Sequence, residues 1–167
     1  FEHASVISGI GRSRLGRRLM VDPLSLTIDA VLAAIEDAGL TRDDIDGLST
    51  YPGGMVPMGM SEGGVTAVEE ALRLHPTWHN GGGELPGPGG SIVAAMMAVA
   101  SGLCRHVLCF RTVWESTYAT LGLARGMGGG GRASGWMQWR LPYGAMSASN
   151  WIGMNANQYL HRYGATR

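Results

Sequence analysis

The chain has 167 residues, 45% of them hydrophobic, and its 13 basic and 13 acidic residues leave a formal net charge of zero. That is enough apolar material for one substantial core, which excludes a disordered tail. The charge balance argues against nucleic acid, whose phosphates demand an excess of Lys and Arg, and no apolar run reaches the roughly 18 to 20 residues that cross a bilayer.

Val6-Ile7-Ser8-Gly9-Ile10-Gly11 has the pattern of a short strand entering a glycine turn. Its glycines begin like a dinucleotide fingerprint, but Arg14 stands where the last glycine belongs, so a strand-to-loop turn is the better reading. An amphipathic helix is predicted over residues 23–39. Asp22 is its N-cap and Pro23 its first residue, Leu24, Ile28, Val31, Leu32 and Ile35 recur near 3.6-residue spacing, and Gly39 stops it. An acidic turn over residues 41–46 leads to a strand over 47–51. After a glycine-rich turn, residues 92–103 form a buried small-residue helix ended by Ser101 and Gly102, and residues 106–110 a buried strand. This alternation is α/β.

The glycine-rich turn over residues 81–91 opens a helix whose first N–H groups have no partner within it. Their partial positive charge suits an anionic nucleophile or a substrate carbonyl. His79 and Glu84 are the polar candidates beside the turn, for proton transfer or for orienting a thioester. The competing reading is that His79 and Asn80 end a strand beginning near Thr77 and Glu84 solvates a loop. His75 and His79 are four apart, but Pro76 between them rules out a helical metal pair. Cys104 and Cys109 lack zinc-site spacing and read as inert, buried thiols, so no metal site is expected. Two cysteines without a disulfide framework, and no charged segment followed by an apolar stretch at residues 1–20, suggest a reducing cytoplasm.

From residue 112 the character changes. Arg125, Arg132 and Arg140 interleave with Trp114, Tyr118, Trp136, Trp139 and Tyr143, among glycines that include the run 128–131. Such a segment suits a cover for a bulky apolar substrate with arginines for phosphates, or an oligomer contact of the same composition.

The stretches 6–13, 30–40 and 43–47, together with the closing run 155–167 ending Tyr163-Gly164-Ala165-Thr166-Arg167, resemble thiolase-superfamily chains. Within that superfamily they are most similar to the sterol carrier protein thiolase-like branch, often labelled lipid-transfer proteins, and among those to steroid side-chain aldolases. The resemblance implies a thiolase-like fold: an N-terminal α/β half over residues 1–111, a mixed sheet covered by helices, and the start of an inserted loop domain over 112–167. It also implies that the second, C-terminal half is absent from this chain, as in an N-terminal piece of a longer protein.

Aligned on Ser101 and Gly102 without a gap, the family's nucleophilic cysteine falls on Leu85, which can neither attack a carbonyl nor carry an acyl group. Branch members without the cysteine resemble aldolases that cleave a β-hydroxyacyl-CoA of a steroid side chain. The resemblance then implies a coenzyme A thioester as substrate and no cofactor, with Gly83, Gly87, Gly89 and Ser91 shaping the thioester end of the pocket. His79 and Glu84 stay candidates for catalysis, and the base is unassigned. Expected partners are a second copy of the chain and a small OB-fold, acyl-CoA-associated protein. The alternatives are a thiolase or acyltransferase with another nucleophile, and a non-catalytic lipid- or acyl-CoA-binding subunit.

Overall fold

A computed structural model of the chain describes residues 3–53, 59, 62–82, 86–122, 138–145 and 147–166. Three short strands, β1 (Gly47–Thr50), β2 (Trp78–Gly81) and β3 (Val107–Phe110), form a sheet in the order β2-β1-β3. The sequence predicted a mixed sheet, but these strands are all parallel. Each is joined to the next by a helical crossover, α2 (Val65–Leu72) and then α3 (Gly87–Ala100), which returns the chain in the same direction. Thr50 is in register with Gly81 and with Phe110, so the three carboxyl ends meet at one edge of the sheet.

Helix α1 (Pro23–Asp37) forms where the spacing predicts. The Asp22 carboxylate accepts the Ser25 N–H at 2.9 Å, and Gly39, at φ +68°, ends the helix. Val31 and Ile35 of α1, Val68 and Leu72 of α2, and Leu48, Leu108 and Phe110 of the sheet form one apolar core on one sheet face. On the other face Ser49 Oγ donates to the Ser91 carbonyl of α3 at 2.9 Å. The first crossover runs from β1 to β2 and the second back from β2 past β1 to β3, so their right-handedness puts α2 and α3 on opposite faces.

Helix α3 was expected to be buried all round, and only one face is. Gly90, Ser91, Ala95 and Ala98 pack inward at helical spacing, small enough to let the backbone approach the sheet, while Ile92, Val93 and Met97 are exposed. Helix α2 escaped prediction because its eight residues are too few to declare a period.

The N-terminal strand expected over residues 6–11 does not form: these residues belong to no strand of the described sheet. Instead this segment lies against α1. A Cβ at Gly9 or Gly11 would collide with the carbonyl oxygens of Ala34 and Ala30, and the Ile10 N–H donates to Asp37 Oδ2 at 2.9 Å. Close approach to a helix, rather than a turn, is what these glycines serve.

The chain divides into two compact units, Phe1–Met127 and Gly128–Arg167. The change of composition at residue 112 therefore precedes the structural division. Helix α4 (Glu115–Thr120) belongs with the first unit because Ser116 Oγ accepts the Arg18 N–H at 3.0 Å and Thr117 Oγ1 the Met20 N–H at 3.4 Å. In the second unit, helix α5 (Ala148–Tyr163) follows a 3-10 turn, Leu141–Tyr143, and ends at Gly164, φ +61°. Trp151 Nε1 donates to the Ala145 carbonyl at 2.6 Å, and the Arg140 guanidinium lies 3.9 Å from the centre of the Trp151 ring. No described helix is long and apolar enough to cross a membrane.

Candidate functional site

In an open parallel sheet, ligands bind outside the carboxyl ends of the strands, where the connections leave in opposite directions. Here that point lies beside β1, between the crossovers that carry α2 to one face and α3 to the other. Helix α3 begins there, and it brings Gly87, Gly89 and Ser91 to the carboxyl edge. Its N-cap residue, Pro86, offers the first turn no side-chain cap. Gly87 holds φ +71°, which a side chain would strain, and a Cβ at Gly89 would meet nothing within 4 Å, so space lies open beside the turn. Ser91 is buried and structural: its hydroxyl donates to the Pro88 carbonyl at 2.7 Å while its own carbonyl accepts from Ser49.

Two residues that sequence reasoning passed over stand at the same edge. Tyr51 follows β1 and Arg111 follows β3, and continued alternation puts both on the α3 face. The Arg111 guanidinium lies 5.6 Å from the Tyr51 ring centre, a cation held over an aromatic face. Arg111 is exposed and has no acidic partner among the described residues. The available signal was positional, since Tyr51 is the last residue of one predicted strand and Arg111 the first past another, at the edge where α/β ligands bind.

On the opposite face, Thr50, Glu62 and Thr112 form a buried polar cluster at the ends of β1 and β3, and the Thr112 hydroxyl bonds to that of Thr27 in α1. Burial pushes the Glu62 carboxyl above its ordinary range, against the opposing pull of nearby backbone groups and the Thr50 hydroxyl.

The predicted site residues are only partly brought together. His79 is exposed on edge strand β2 in register with Leu48, hence on the face opposite α3, while its neighbour Asn80 takes the α3 side. Glu84, Gly83 and Leu85 lie outside the described residues, as do Arg125, Arg132 and Trp136. Trp114 and Tyr118 pack edge to face at 5.5 Å within the first unit. Cys104 is buried as expected, but Cys109 is exposed. Desolvation by the walls around it, reinforced by Cys104, nevertheless pushes the Cys109 thiol up to about 11, and desolvation and the Asp46 charge raise Cys104.

A cleft of about 630 Å³ runs between residues 4–11, α1, α3 and β3, with Arg111 also on its lining. Its volume is that of a ligand pocket, but one wall is the outer edge of β3, which pairs with no described strand. An apolar ligand would leave that row of N–H and C=O groups unsatisfied, so the carboxyl-edge crevice, not this cleft, is the candidate site.

No family model matches the chain. It is similar to the steroid side-chain-cleaving aldolase of Thermomonospora curvata, 33% identical over 179 residues that cover 98% of this chain and 41% of the relative. It is also similar to the 17-hydroxy-3-oxo-4-pregnene-20-carboxyl-CoA lyase of Mycobacterium tuberculosis, at 28% identity over 97% of this chain and 41% of the relative. Among solved structures it superposes on one described as an Ltp2-ChsH2(DUF35) aldolase, with a TM-score of 0.66 and 29% identity over 96% of this chain and 38% of that one. The chain thus spans about two fifths of the length of the curated relatives it matches.

Proposed function

We propose that this protein is an acyl-CoA aldolase of thiolase-like fold, which cleaves a β-hydroxyacyl-CoA in steroid side-chain degradation without an acyl-enzyme. The similarity to two relatives named for such cleavage, running through almost the entire chain, carries the reading. In a retro-aldol step a base takes the β-hydroxyl proton, the Cα–Cβ bond breaks, and its electrons pass to the thioester as an enolate that is then protonated at Cα. The products are a ketone and a shortened acyl-CoA. Such a step needs a base and a stabiliser for the enolate oxygen, and it needs no thiolate. Leu85 at the family's cysteine position and a Cys109 thiol raised to about 11 both fit that requirement.

In this reading Gly83, Gly87, Gly89 and the buried Ser91 shape the thioester end of the crevice, and Arg111, held over Tyr51, supplies positive charge toward the developing enolate. His79 and Glu84 remain the candidates for proton transfer. The substrate is the coenzyme A thioester, with no further cofactor. The protein works as a homodimer with a small OB-fold, acyl-CoA-associated partner; the two-component description of the solved relative supports the second polypeptide.

The test is product analysis of the full-length protein with such a partner, given a β-hydroxyacyl-CoA of a steroid side chain with and without free coenzyme A. Ketone and shortened acyl-CoA formed without free coenzyme A is the expected result. Product that requires free coenzyme A would return the reading to thiolysis. Binding without turnover would leave a non-catalytic acyl-CoA-binding subunit.

A further inference from the structure

Four of the chain's 13 basic residues, Arg12, Arg14, Arg17 and Arg18, fall within seven positions, and no acidic residue lies between residues 11 and 21. In a chain of zero net charge this is a local excess of positive charge. All four arginines are exposed, and none forms an ion pair among the described residues. Neighbouring guanidiniums without a counter-charge repel each other, and an anion between them relieves the repulsion.

The turn that carries Arg17 and Arg18 is held in place. Leu19 folds back on Gly16, where a Cβ would stand 2.6 Å from the Leu19 side chain. Arg18 and Met20 keep left-handed backbone, at φ 57° and 56°, which residues other than glycine hold only where their surroundings impose it. Helix α4 imposes it here, because Ser116 Oγ accepts the Arg18 N–H and Thr117 Oγ1 the Met20 N–H.

Between this turn and α4 lies a pocket of about 220 Å³, lined by Arg17, Arg18, Ser116, Ala119 and Thr120. The Thr120 hydroxyl donates to the Ser116 carbonyl at 2.7 Å. The Ser116 hydroxyl accepts from Arg18 with one lone pair, so its own proton is left to donate. The pocket therefore presents two guanidinium forks and one hydroxyl donor, with no carboxylate on its lining. A phosphomonoester carries close to two negative charges at neutral pH and matches that set. A carboxylate, with one charge, would leave a guanidinium uncompensated.

We propose that the arginine turn and α4 form a phosphate subsite, in which Arg17, Arg18 and the Ser116 hydroxyl hold the ribose 3′-phosphate of coenzyme A. The identity of that ligand rests on the acyl-CoA reading above; the affinity for a phosphate does not. Helix α4 follows the carboxyl end of β3, and Ser116 lies five residues past Arg111, a separation that the chain limits to about 18 Å. The pantetheine arm and the diphosphate bridge such a distance, so one molecule reaches both Arg111 and the subsite.

The experiment titrates full-length wild type, Arg17→Gln, Arg18→Gln and the double variant calorimetrically with three probes. These are an acyl-CoA, the same thioester lacking the 3′-phosphate, and adenosine 3′,5′-bisphosphate, which carries the phosphate without the thioester. Wild type should bind the complete acyl-CoA at least about tenfold more tightly than the dephospho form. Each single variant should lose about tenfold for the acyl-CoA and for the bisphosphate. The double variant should bind both thioesters alike, at the wild-type affinity for the dephospho form. The wild-type comparison needs no substitution, so it decides even where a variant fails to fold. Equal wild-type affinity for the two thioesters, or arginine variants that lose both alike, would overturn the proposal. If wild type binds neither thioester, the function reading fails and the bisphosphate decides the subsite: binding that depends on the arginines upholds it, and no binding ends it. Variants that change the molecular mass in solution but none of the titrations would assign the arginines to a contact between copies and overturn it too.

Discussion

The carboxylate of Asp46 accepts the backbone N–H of Arg105 with both oxygens, at 2.8 and 2.9 Å. Oδ1 also accepts the His106 N–H at 2.8 Å, and the Asp46 carbonyl accepts the Thr77 N–H at 2.8 Å. One residue thus ties the entrances of β1, β2 and β3 together, at the edge of the sheet opposite the candidate site. Asp46→Ala removes the charged acceptor and is expected to lower the unfolding free energy by about 2 kcal/mol. Asp46→Asn, which keeps one acceptor oxygen, should lose less. Urea denaturation measures both, and an unchanged midpoint for Asp46→Ala would reject the role.

Arg111→Gln is expected to weaken acyl-CoA binding about tenfold, the loss expected of one charge-assisted contact. Arg111→Lys should recover only part of it, because an ammonium lacks the planar face that lies over Tyr51. Calorimetric titration settles this, and equal affinity in all three forms would remove Arg111 from the site.

Glu62 also sets a pH dependence of stability. Its folded pKa is raised above the ordinary value of 4.5. Below pH 4.5 both folded and unfolded chains hold the proton and stability is complete. Above it the unfolded chain ionises first, so stability declines until the folded carboxyl ionises in turn. Melting temperature from pH 4 to 8 should therefore fall more for wild type than for Glu62→Gln, and parallel curves would contradict the shift.

With the Cys109 thiol at about 11, only on the order of one molecule in ten thousand carries the thiolate at pH 7. Iodoacetamide should modify Cys109 slowly at neutral pH, accelerating as pH rises, and Cys109→Ser should keep full activity. Rapid alkylation at pH 7 together with an inactive serine variant would restore a cysteine nucleophile.

Arg73 ends α2 in the left-handed conformation at φ 55°, and the Leu74 N–H closes the cap on the Glu69 carbonyl at 3.0 Å. A side chain in that conformation costs about 1 kcal/mol that glycine escapes. Arg73→Gly should raise stability by up to about 1 kcal/mol in chemical denaturation, offset in part by glycine's greater unfolded-state freedom. A loss would show that the Arg73 side chain makes a contact worth more than the strain.

Local pattern by itself determined α1, β1 and β3, and placed the glycine turn at the head of a helix. Asp22, Pro23 and Gly39 act on their immediate neighbours, and the periodic apolar residues between them need no knowledge of distant chain. The similarity to steroid side-chain aldolases was likewise carried in residue order, because homology survives in sequence.

Only tertiary structure decided the rest, since it depends on which distant groups meet. Residues 6–11 have strand composition, yet their glycines settle against the Ala30 and Ala34 carbonyls of α1 instead of joining the sheet. His79 alternates to the face away from α3 because β2 pairs Leu48 with His79. Tyr51 and Arg111 stand 60 positions apart in the chain and meet because β1 and β3 are neighbours in register. Glu62 looks like any loop carboxylate in sequence; its burial against Thr50 and Thr112 makes it a group whose charge the protein resists. Burial and cross-strand register are properties of the assembled sheet, and no local run of residues encodes them.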